Sequence, residues 1–489
     1  MRTTILSVFC SIVCTSAFAA QPDDTNLYRE PYRPQYHFTP KHRWIGDPCG
    51  LVYNEGKYHA YSWGAVESDD LVFWNEINQN SIQNLPKDIA PFTGSVVIDT
   101  ENTAGYGENA FIAVFTSFDE NSKKQSQSIA FSLDGGKTFQ YYDQNPVLDI
   151  WSTEFRDPSV IWDSENKRWI MAVAKALEKK VAFYGSPDLK HWEWLSDFGP
   201  MGDSERSWEC PDLFKLKIEG TDQEKWVLLV SVNWAREQYF IGDFNGKEFI
   251  AEQTDSYPLY VDEGLDYYAS RVFQNYSPTQ SDETYTIGWV NTWDYAQQAP
   301  TTYGKGIWSL PRKLTLVKTS DGLRLKQLPS EKLRVLRDGK YTFSRRLKPG
   351  TVDLKEVSKM HNTYELEVDL SSPSNNDIVG LNLCCGDGRK VAVSYDWASN
   401  YLKFDRTNST DAVLPKFDRI AFAKIKPEDG HVRLNIFVDK STIEIFAENG
   451  LKTFSLLTYP SESQTEAEVF SLRGGSNINL TAYPLKSIH

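Results

Sequence analysis

The sequence is poor in cysteine, in long apolar runs and in helical periodicity. Six cysteines occur in 489 residues, and two of them, Cys10 and Cys14, lie within the first twenty residues. Four cysteines spread over the rest of so long a chain do not make a disulfide framework. Beyond the N-terminal segment no apolar stretch approaches the roughly 20 residues that a membrane span needs. The sequence therefore excludes a disulfide-rich fold and a membrane-spanning chain.

Positive charge and the common catalytic signatures are also scarce. The formal net charge is −14, which argues against nucleic acid and anionic membranes as partners. The seven histidines are scattered, so the pattern predicts no metal site and no cofactor. The motifs G-x-S-x-G, H-E-x-x-H and G-x-x-x-x-G-K-[ST] are missing as well. A neutral substrate and chemistry based on carboxylates fit what remains.

The N-terminus has the pattern of a secretory leader. Arg2 supplies a positive region, Ile5–Cys14 supplies an apolar core of about ten residues, and Ala17–Ala19 fits a small-x-small cleavage site. We therefore expect residues 1–20 to be removed and the mature protein to be secreted or periplasmic.

What the sequence has in abundance is aromatic and β-branched residues in short runs. Aromatic residues make up 13% of the chain; they favour strands, and their faces can also stack on sugar rings. The runs FIAVFTSF, RWIMAVAKA, KWVLLVSVNW and TYTIGWVNTW are bounded by turn residues. They predict a structure made of many short β-strands.

A short sequence motif, a polar turn followed by an aromatic residue, recurs between these predicted strands. SDDLVFW ends at Trp74, SLDGGKTF at Phe139, SPDLKHW at Trp192 and GDFNGKEF at Phe249, and YGKGIWSLPRKL contains Trp308. The intervals are 65 (74 to 139), 53 (139 to 192), 57 (192 to 249) and 59 (249 to 308) residues. Such a period, with about four strands per unit, predicts a five-bladed β-propeller over residues 30–325. A large β-sandwich or barrel is the alternative, but it needs no such regular punctuation.

A second pattern follows Pro311. Residues 326–341 are polar and predict a linker with a short helix, whereas 342–489 alternate with period two and predict an antiparallel β-sandwich. VDKSTIEIFAENG predicts a hairpin whose turn contains Asp439. The expected fold class is all-β: a five-bladed β-propeller followed by a C-terminal antiparallel β-sandwich.

Three acidic residues lie in unusual local sequences at the starts of predicted strands. Asp47 lies in WIGDPCG, Asp157 in FRDPSVIW and Glu209 in SWECPDLF, each in a different unit of the repeat. Asp-Pro is usually a turn and Arg-Asp usually a local ion pair, but Glu is depleted in strands. The innermost strands of a propeller line its channel, so these three side chains are expected to converge. Hydrolysis of a glycosidic bond by two carboxylates requires such a convergence.

From about Tyr36 to the C-terminus, the sequence resembles glycoside hydrolase family 32, which contains invertases, inulinases and levanases. The segments that carry the resemblance occur in family order: YHFTPKHRWIGDPCGLVY, PFTGSVVID, QSIAFSLDGGKTFQYYDQNPVL, FRDPSVIW, WECPDLF, YFIGDFNGKEF, IWSLPRKLTL and VDKSTIEIFAENG. The resemblance implies a five-bladed propeller plus a β-sandwich. It also implies retaining hydrolysis of β-fructofuranosyl bonds in sucrose, inulin or levan.

The resemblance also implies roles for individual residues. Asp47 would be the nucleophile, Glu209 the general acid/base and Asp157 the stabiliser of the transition state, with the carboxyl groups of Asp47 and Glu209 roughly 5–5.5 Å apart. It further implies that six residues bind the sugar: Trp44, Trp63, Phe92, Ser95, Arg156 and Trp289.

The sequence departs from the family pattern close to the expected nucleophile. Gly46 and Cys49 stand where the family has asparagines, and the segment after the first hairpin is shorter than usual, so that Trp63 is expected to maintain the aromatic wall. Cys49 and Cys210 each neighbour an expected catalytic residue. A disulfide between them is one alternative, and free buried thiols are the default.

Two alternatives to hydrolysis stay open. A fructosyltransferase would use the same covalent intermediate with another acceptor, and a non-catalytic fructan-binding protein could use the same scaffold. An arabinan-cleaving enzyme is disfavoured by WECPDLF and by the C-terminal sandwich pattern. The sequence leaves open the linkage preference, exo or endo action and the oligomeric state.

Overall fold

The computed structural model describes residues 26–252, 258–277, 283–373 and 376–489. The expected secretory leader at 1–20 lies outside these residues. Within them the chain is built from β-sheets, with one four-residue α-helix (Lys355–Ser358) and a few short 3₁₀ turns, so the prediction of an all-β fold is confirmed. No helix in these ranges combines the length and apolar character needed to cross a membrane.

Five sheets follow one another between Gly50 and Pro329 in the described residues. The first contains β1 (Gly50–Asn54), β2 (Lys57–Tyr61), β3 (Ala65–Ser68) and β4 (Asn75–Asn78). The second contains β5 (Ile82–Gln83), β6 (Ile89–Asp99), β7 (Ala110–Asp119), β8 (Gln125–Ser132), β9 (Phe139–Tyr141) and β10 (Leu148–Ser152). The third contains β11 (Phe155–Asp163), β12 (Arg168–Lys175), β13 (Lys180–Ser186) and β14 (Glu193–Phe198).

The remaining two sheets of this part complete the series. The fourth contains β15 (Trp208–Lys217), β16 (Glu224–Val232), β17 (Arg236–Phe244), β18 (Phe249–Ala251) and β19 (Leu259–Tyr260). The next strands are β20 (Tyr268–Val272), β21 (Gln274–Asn275), β22 (Thr284–Trp289), β23 (Arg312–Thr319) and β24 (Gly322–Pro329). Strand β21 pairs with β1, and the other four form the fifth sheet. These strands contain the aromatic and β-branched runs that predicted them.

The five sheets close into a ring. Strand β1 contacts β6, β6 contacts β11, β11 contacts β15, β15 contacts β20, and β20 contacts β1. The closure is reinforced where the chain ends of the ring meet, because β21 pairs in parallel with β1. In addition, the backbone N–H of Ile45 donates to the carbonyl of Lys305. We call these five sheets the ring; the first long strand of each sheet faces its two neighbours around the centre.

The recurring sequence units mark the turns before the fourth strand of a sheet, counted outward from the central strand. Trp74 precedes β4, Phe139 begins β9, Trp192 precedes β14 and Phe249 begins β18. The unit around Trp308 differs, because this residue lies between β22 and β23. Four units of the sequence repeat therefore occupy equivalent positions in their sheets, and the fifth unit occupies a different one.

An aspartate explains why the repeat has this form. In the first unit the carboxylate of Asp70 accepts hydrogen bonds from the backbone N–H groups of Val72 and Phe73. Asp134 and Asp188 make equivalent bonds in the next two units. The side chain thus satisfies the turn's backbone donors, which is why aspartate favours such turns.

Two six-stranded sheets form the C-terminal part. A 3₁₀ turn at Glu331–Leu336 precedes them, where the sequence predicted a short helix. The first sheet contains β25 (Tyr341–Arg346), β27 (Tyr364–Ser371), β32 (His431–Val438), β33 (Thr442–Ala447), β34 (Lys452–Leu457) and β36 (Asn477–Pro484). The second contains β26 (Gly350–Asp353), β28 (Ile378–Gly386), β29 (Arg389–Asp396), β30 (Tyr401–Asp405), β31 (Ile420–Lys424) and β35 (Glu466–Ser471).

Alternating apolar side chains of these two sheets share one core. Leu366 and Val368 of β27 pack in the same buried cluster as Leu381 and Leu383 of β28, as the period-two pattern predicted. The expected hairpin is also present: β32 pairs with β33, and Asp439 lies in the turn between them.

A buried ionic cluster joins this C-terminal part to the ring. The Arg312 guanidinium donates to Glu444 at 2.6 Å and to Asp262 at 3.0 Å. The His37 imidazole lies between Asp439, at 2.9 Å, and Glu444, at 3.0 Å. Burial lowers the pKa of His37, but its hydrogen bonds to the two carboxylates outweigh burial and raise the pKa to about 9. The cluster therefore holds two cations among three carboxylates away from water.

Replacement of Glu444 by Gln is expected to lower the free energy of unfolding by about 3–5 kcal/mol, because Arg312 and His37 would keep their buried charge with one carboxylate fewer. Urea unfolding at pH 7 measures this loss. Glu462→Gln, which removes an exposed carboxylate, is the control and should change stability by less than about 0.5 kcal/mol. Equal stability of the two variants would contradict the role of the cluster.

Candidate active site

The three expected carboxylates lie together at the head of the central strands. The Cys210 thiol sulfur is 3.5 Å from Asp47 Oδ2 and 3.6 Å from Asp157 Oδ2. The Arg156 guanidinium donates to Glu209 Oε1 at 2.7 and 3.0 Å and lies 3.9 Å from Asp157 Oδ2. One thiol and one guanidinium therefore link carboxylates that are far apart in the sequence.

Bulges in the central strands aim these side chains. The pairing of β11 with β12 and of β15 with β16 shifts register beside Asp157 and Glu209. Asp157 has a φ of 66° and Cys210 a φ of 48°, which is a strained region for residues other than glycine. A bulge bends its strand and redirects a side chain, and bulges are common beside active sites. The equivalent bulge in β20 occurs beside Tyr268.

The loop that contains Asp47 is held from both sides of the ring closure. Trp308 Nε1, from the segment between β22 and β23, donates to the carbonyl of Gly46 at 2.9 Å. On the other side, the backbone N–H of Cys49 donates to the carbonyl of Tyr61 at 2.7 Å. Asp47 is thus fixed through Gly46, which precedes it, and through Cys49, two residues after it.

Gly46 is explained by its neighbour Trp44. A Cβ atom at position 46 would lie 2.9 Å from Trp44 Nε1. That distance is closer than van der Waals packing allows, so the indole occupies the space that a side chain would take. With Trp44 in this position, residue 46 has no room for the asparagine side chain of the family pattern, and glycine fits.

Asp47 has one engaged and one unengaged oxygen. The Thr93 hydroxyl donates to Oδ2 at 2.7 Å, whereas Oδ1 is buried and accepts no hydrogen bond from any described residue. Burial raises the pKa of Asp47 above its ordinary value, while the Thr93 and Cys210 hydrogen bonds and the Arg271 charge oppose this rise. Asp47 therefore holds a proton more tightly than a free aspartate does, and Oδ1 is the carboxyl oxygen without a hydrogen-bond partner among the described residues.

Glu209 is held at both oxygens. Arg156 donates to Oε1, and the Tyr268 hydroxyl donates to Oε2. Arg156 is itself positioned by Glu154 at 2.7 Å and by Gln125 at 3.0 Å. The Glu209 carboxyl group is therefore fixed in orientation before any ligand binds.

Asp157 is the most buried of the three carboxylates. Its side chain accepts a hydrogen bond from the backbone N–H of Cys210 at 3.1 Å. Burial raises the pKa of Asp157 to about 7; the Arg156 charge opposes this rise, and the nearby carboxylates of Glu209 and Asp47 add to it. The folded protein thus holds a proton on Asp157 more tightly than the unfolded chain does.

This raised pKa predicts that ionised Asp157 destabilises the fold. Stability falls as the pH rises from about 4, the unfolded pKa, to about 7, so Asp157→Asn should melt at least about 2 °C above the parent at pH 8. The difference should disappear near pH 4, where the parent aspartate is protonated in both states. Thermal melts from pH 4 to pH 8, with exposed Asp143→Asn as the control, test this. A lower melting temperature at pH 8 would contradict it.

Tryptophans form a wall beside these carboxylates. Trp44 lies 5.9 Å from Trp293 in a stacked arrangement and 5.8 Å from Trp289. Trp289 is fully buried and shares a cluster with Cys210 and Tyr268. The structure thus brings two predicted sugar-binding residues, Trp44 and Trp289, to the site together with Trp293, which the sequence did not single out.

Three further predicted sugar-binding residues lie along the first and second sheets, whereas the fourth, Arg156, lies in β11 and donates to Glu209. Trp63 packs in one cluster with Cys49, and its Nε1 donates to the carbonyl of Phe92 at 2.8 Å. Phe92 stacks on Phe118 at 4.7 Å. Ser95 is buried, and its hydroxyl accepts a hydrogen bond from the backbone N–H of Val160 at 3.1 Å. The residue of this segment that contacts Asp47 is Thr93, and Ser95 joins β6 to β11.

The cysteines of the site are free thiols. Cys49 and Cys210 are both buried and unbridged, as are Cys384 and Cys385. Burial raises the pKa of Cys49 to about 12, so its thiol is protonated at neutral pH. The alternative of a Cys49–Cys210 disulfide is wrong, and the default of free thiols is confirmed.

Thiol titration should give two distinct results. A chain without its leader is expected to react with four equivalents of Ellman's reagent in guanidinium chloride and to react very slowly when native, because the thiolate is the reacting form. Activity should not respond to dithiothreitol, which serves as the control for a hidden disulfide. A titration of only two thiols in the unfolded chain would contradict the assignment of Cys49 and Cys210 as free thiols.

A closed ring of β-sheets with paired carboxylates and an aromatic wall defines a carboxylate-dependent glycoside hydrolase. Residues 37–329 match the N-terminal domain of glycosyl hydrolases family 32, and residues 331–484 match the C-terminal domain of that family. The chain belongs to glycosyl hydrolase family 32 and is a fructosidase-type hydrolase. The family's fold, a β-propeller followed by a β-sandwich, agrees with the sheets described above.

Individual relatives agree over nearly the whole chain. The levanase of Bacillus subtilis (strain 168) is 33% identical over 517 residues, which cover 98% of this chain and 74% of the levanase. The extracellular exo-inulinase of Aspergillus ficuum is 31% identical over 504 residues, with 92% of this chain and 93% of that protein covered. The crystal structure of exo-inulinase from Aspergillus awamori superposes with a TM-score of 0.86 at 29% identity, covering 94% of this chain and 100% of that chain.

Some residues of the site were not predicted from the sequence. Thr93, Tyr268, Gln125 and Trp293 contact predicted residues across long stretches of chain. Thr93 carried a weak signal, since it stands in PFTGSVV beside the two residues that were chosen. Tyr268 occupies the head of β20, the position that Glu209 occupies in β15, and the phase of the repeat could have identified it.

Proposed function

We propose that this protein hydrolyses β-fructofuranosyl linkages in sucrose, inulin or levan-type fructans with retention at the anomeric carbon. The proposal depends most on one observation: Asp47 keeps a buried, unengaged Oδ1 while the orientation of the Glu209 carboxyl group is fixed by its contacts with Arg156 and Tyr268. The names of the levanase and exo-inulinase relatives agree with it.

Each carboxylate has a defined role in a two-step reaction. Asp47 Oδ1 attacks the anomeric carbon of the fructosyl unit while Glu209 gives its proton to the departing oxygen. A water molecule, deprotonated by Glu209, then displaces Asp47 from the covalent fructosyl-enzyme. Asp157 binds fructosyl hydroxyls and stabilises the oxocarbenium-like transition state. We expect the carboxyl groups of Asp47 and Glu209 to be roughly 5–5.5 Å apart, because a retaining mechanism leaves no room for water between them.

We further propose a domain division that accounts for the meeting of the three carboxylates. We take the five sheets of the ring as the five blades of the propeller proposed for residues 30–325, whose last strand, β24, continues to Pro329 into the proposed linker at 326–341, and we propose a β-sandwich at 342–489. The closed series of contacts among β1, β6, β11, β15 and β20 supports this division. In such a fold the heads of the central strands open into one pocket.

The proposed function also fits an extracellular location. The N-terminal leader pattern indicates export, and the Aspergillus relatives are named extracellular exo-inulinases. We therefore propose a secreted or periplasmic protein.

A timed product profile on sucrose, inulin and levan, each in its own reaction, tests the function. Release of fructose alone from one polymer would support exo-hydrolysis and identify the linkage, whereas oligosaccharides appearing first would indicate endo action. New, longer saccharides from concentrated sucrose would indicate fructosyl transfer. No product from a folded protein would favour a non-catalytic fructan-binding protein.

A further inference from the structure

Trp234 is an exposed tryptophan on the turn between β16 and β17. Its side chain is 40% exposed, and its φ of 66° follows a φ of 57° at Asn233. Two successive left-handed residues suit glycine or asparagine and are strained for a large side chain. A strained residue that keeps a bulky, exposed ring points to a functional role for that ring.

The turn lies beside Glu209. The backbone N–H of Asn233 donates to the carbonyl of Ser207, two residues before Glu209. In the sheet itself, Glu209 is paired with Ser231 and Trp208 with Val232. Trp234 therefore extends past the head of β15, on the side of the ring where the proposed acid stands.

The same turn also lies beside the tryptophan wall. The carbonyl of Trp234 accepts hydrogen bonds from the backbone N–H of Trp293 and from the Thr292 hydroxyl, both at 3.0 Å. Trp293 in turn stacks on Trp44, which packs against Gly46, next to Asp47. The backbone of Trp234 is thus fixed between the two proposed catalytic residues while its ring stays exposed.

The guanidinium group of Arg206 lies near one face of the Trp234 ring. The Arg206 guanidinium lies 5.5 Å from the centre of the Trp234 ring, and the Arg206 backbone N–H donates to the Asn233 side chain at 2.8 Å. A partly exposed indole with a guanidinium beside it offers an apolar surface and hydroxyl-binding donors at one place. Sugars present the matching chemistry, an apolar C–H face bordered by hydroxyl groups.

We propose that Trp234 stacks on a sugar unit of the leaving chain and thereby selects fructan chains over small fructosides. The inference rests on the proposed function, since Glu209 protonates the leaving oxygen and the departing sugar must lie on its side. Arg206 contributes donors to the hydroxyl groups of the same unit. Trp234 is a specificity residue and takes no part in bond cleavage.

Kinetics with two substrates test this assignment. Trp234→Asn keeps a residue that tolerates the left-handed turn and removes the ring. For fructan oligosaccharides we expect its kcat/KM to fall about three- to tenfold, mainly through KM. For methyl β-fructofuranoside, whose leaving group is methanol, it should stay within about twofold of the parent. Trp234→Tyr should restore most of the loss, and Trp194→Ala, which removes an exposed tryptophan from the outer strand β14, should change neither substrate.

Two results would overturn the assignment. An equal fall on both substrates would mean that Trp234 shapes the catalytic site, and no change on either would mean that it contacts no sugar. Calorimetric binding of fructan oligosaccharides, with and without the Asn substitution, separates this proposal from the proposed function. If the parent binds the oligosaccharides through Trp234 but turns over neither substrate, hydrolysis is refuted and the stacking of Trp234 on sugar is supported. If the parent neither binds nor turns over sugar, both proposals are refuted.

Discussion

Asp47→Asn is expected to lower kcat by roughly 10⁴- to 10⁶-fold, the loss that follows removal of a nucleophile that forms a covalent intermediate. The amide has nearly the same shape and can still accept the Thr93 hydrogen bond made to Oδ2. It lacks the negative charge and cannot attack the anomeric carbon. Steady-state release of fructose from the best substrate of the product profile measures the loss.

The controls for Asp47→Asn separate chemistry from folding. The melting temperature should not fall by more than a few degrees, because the raised pKa of Asp47 shows that burial disfavours its charge. Asp69→Asn removes an exposed carboxylate in the first sheet's outer turn and should leave kcat unchanged. Turnover by a folded Asp47→Asn protein within tenfold of the parent would remove Asp47 from its role.

Glu209→Gln is expected to have the second largest effect, a fall in kcat of about 10²- to 10⁴-fold, the usual contribution of general acid–base catalysis. The size of the fall should depend on the leaving group. Natural sugars leave poorly without a proton and should show the full loss, whereas an aryl fructoside with an acidic phenol should show a much smaller loss in its first step. A comparison of sucrose with such an aryl fructoside measures the difference.

Two further experiments sharpen the test of Glu209. Added azide should restore turnover of the aryl fructoside by Glu209→Gln, because an anion that needs no deprotonation can replace the activated water. Glu205→Gln removes an exposed carboxylate four residues earlier and should behave as the parent. An equal loss on both substrates, with no response to azide, would contradict the acid/base role.

The sequence determined the secondary structure and the candidate carboxylates. Short β-branched and aromatic runs specify strands locally, so the strands of the ring and of the C-terminal sheets were predicted from pattern alone. Asp47, Asp157 and Glu209 were found because each interrupts a strand start in the same phase of a repeat. The turn aspartates, such as Asp70, act on backbone groups two and three residues away, and a sequence repeat can record such short-range contacts.

Only the tertiary structure decided which side chains surround the carboxylates. The contacts of Thr93 with Asp47 and of Tyr268 with Glu209 join residues 46 and 59 positions apart, and they depend on how neighbouring sheets close around the ring. The same closure makes Thr93 rather than Ser95 the partner of Asp47, and it leaves Cys49 and Cys210 as separate buried thiols. Periodicity fixes which face of a strand is buried, but the contact across the ring depends on bulges and on strained residues such as Asp157 and Cys210, and no local pattern specifies these.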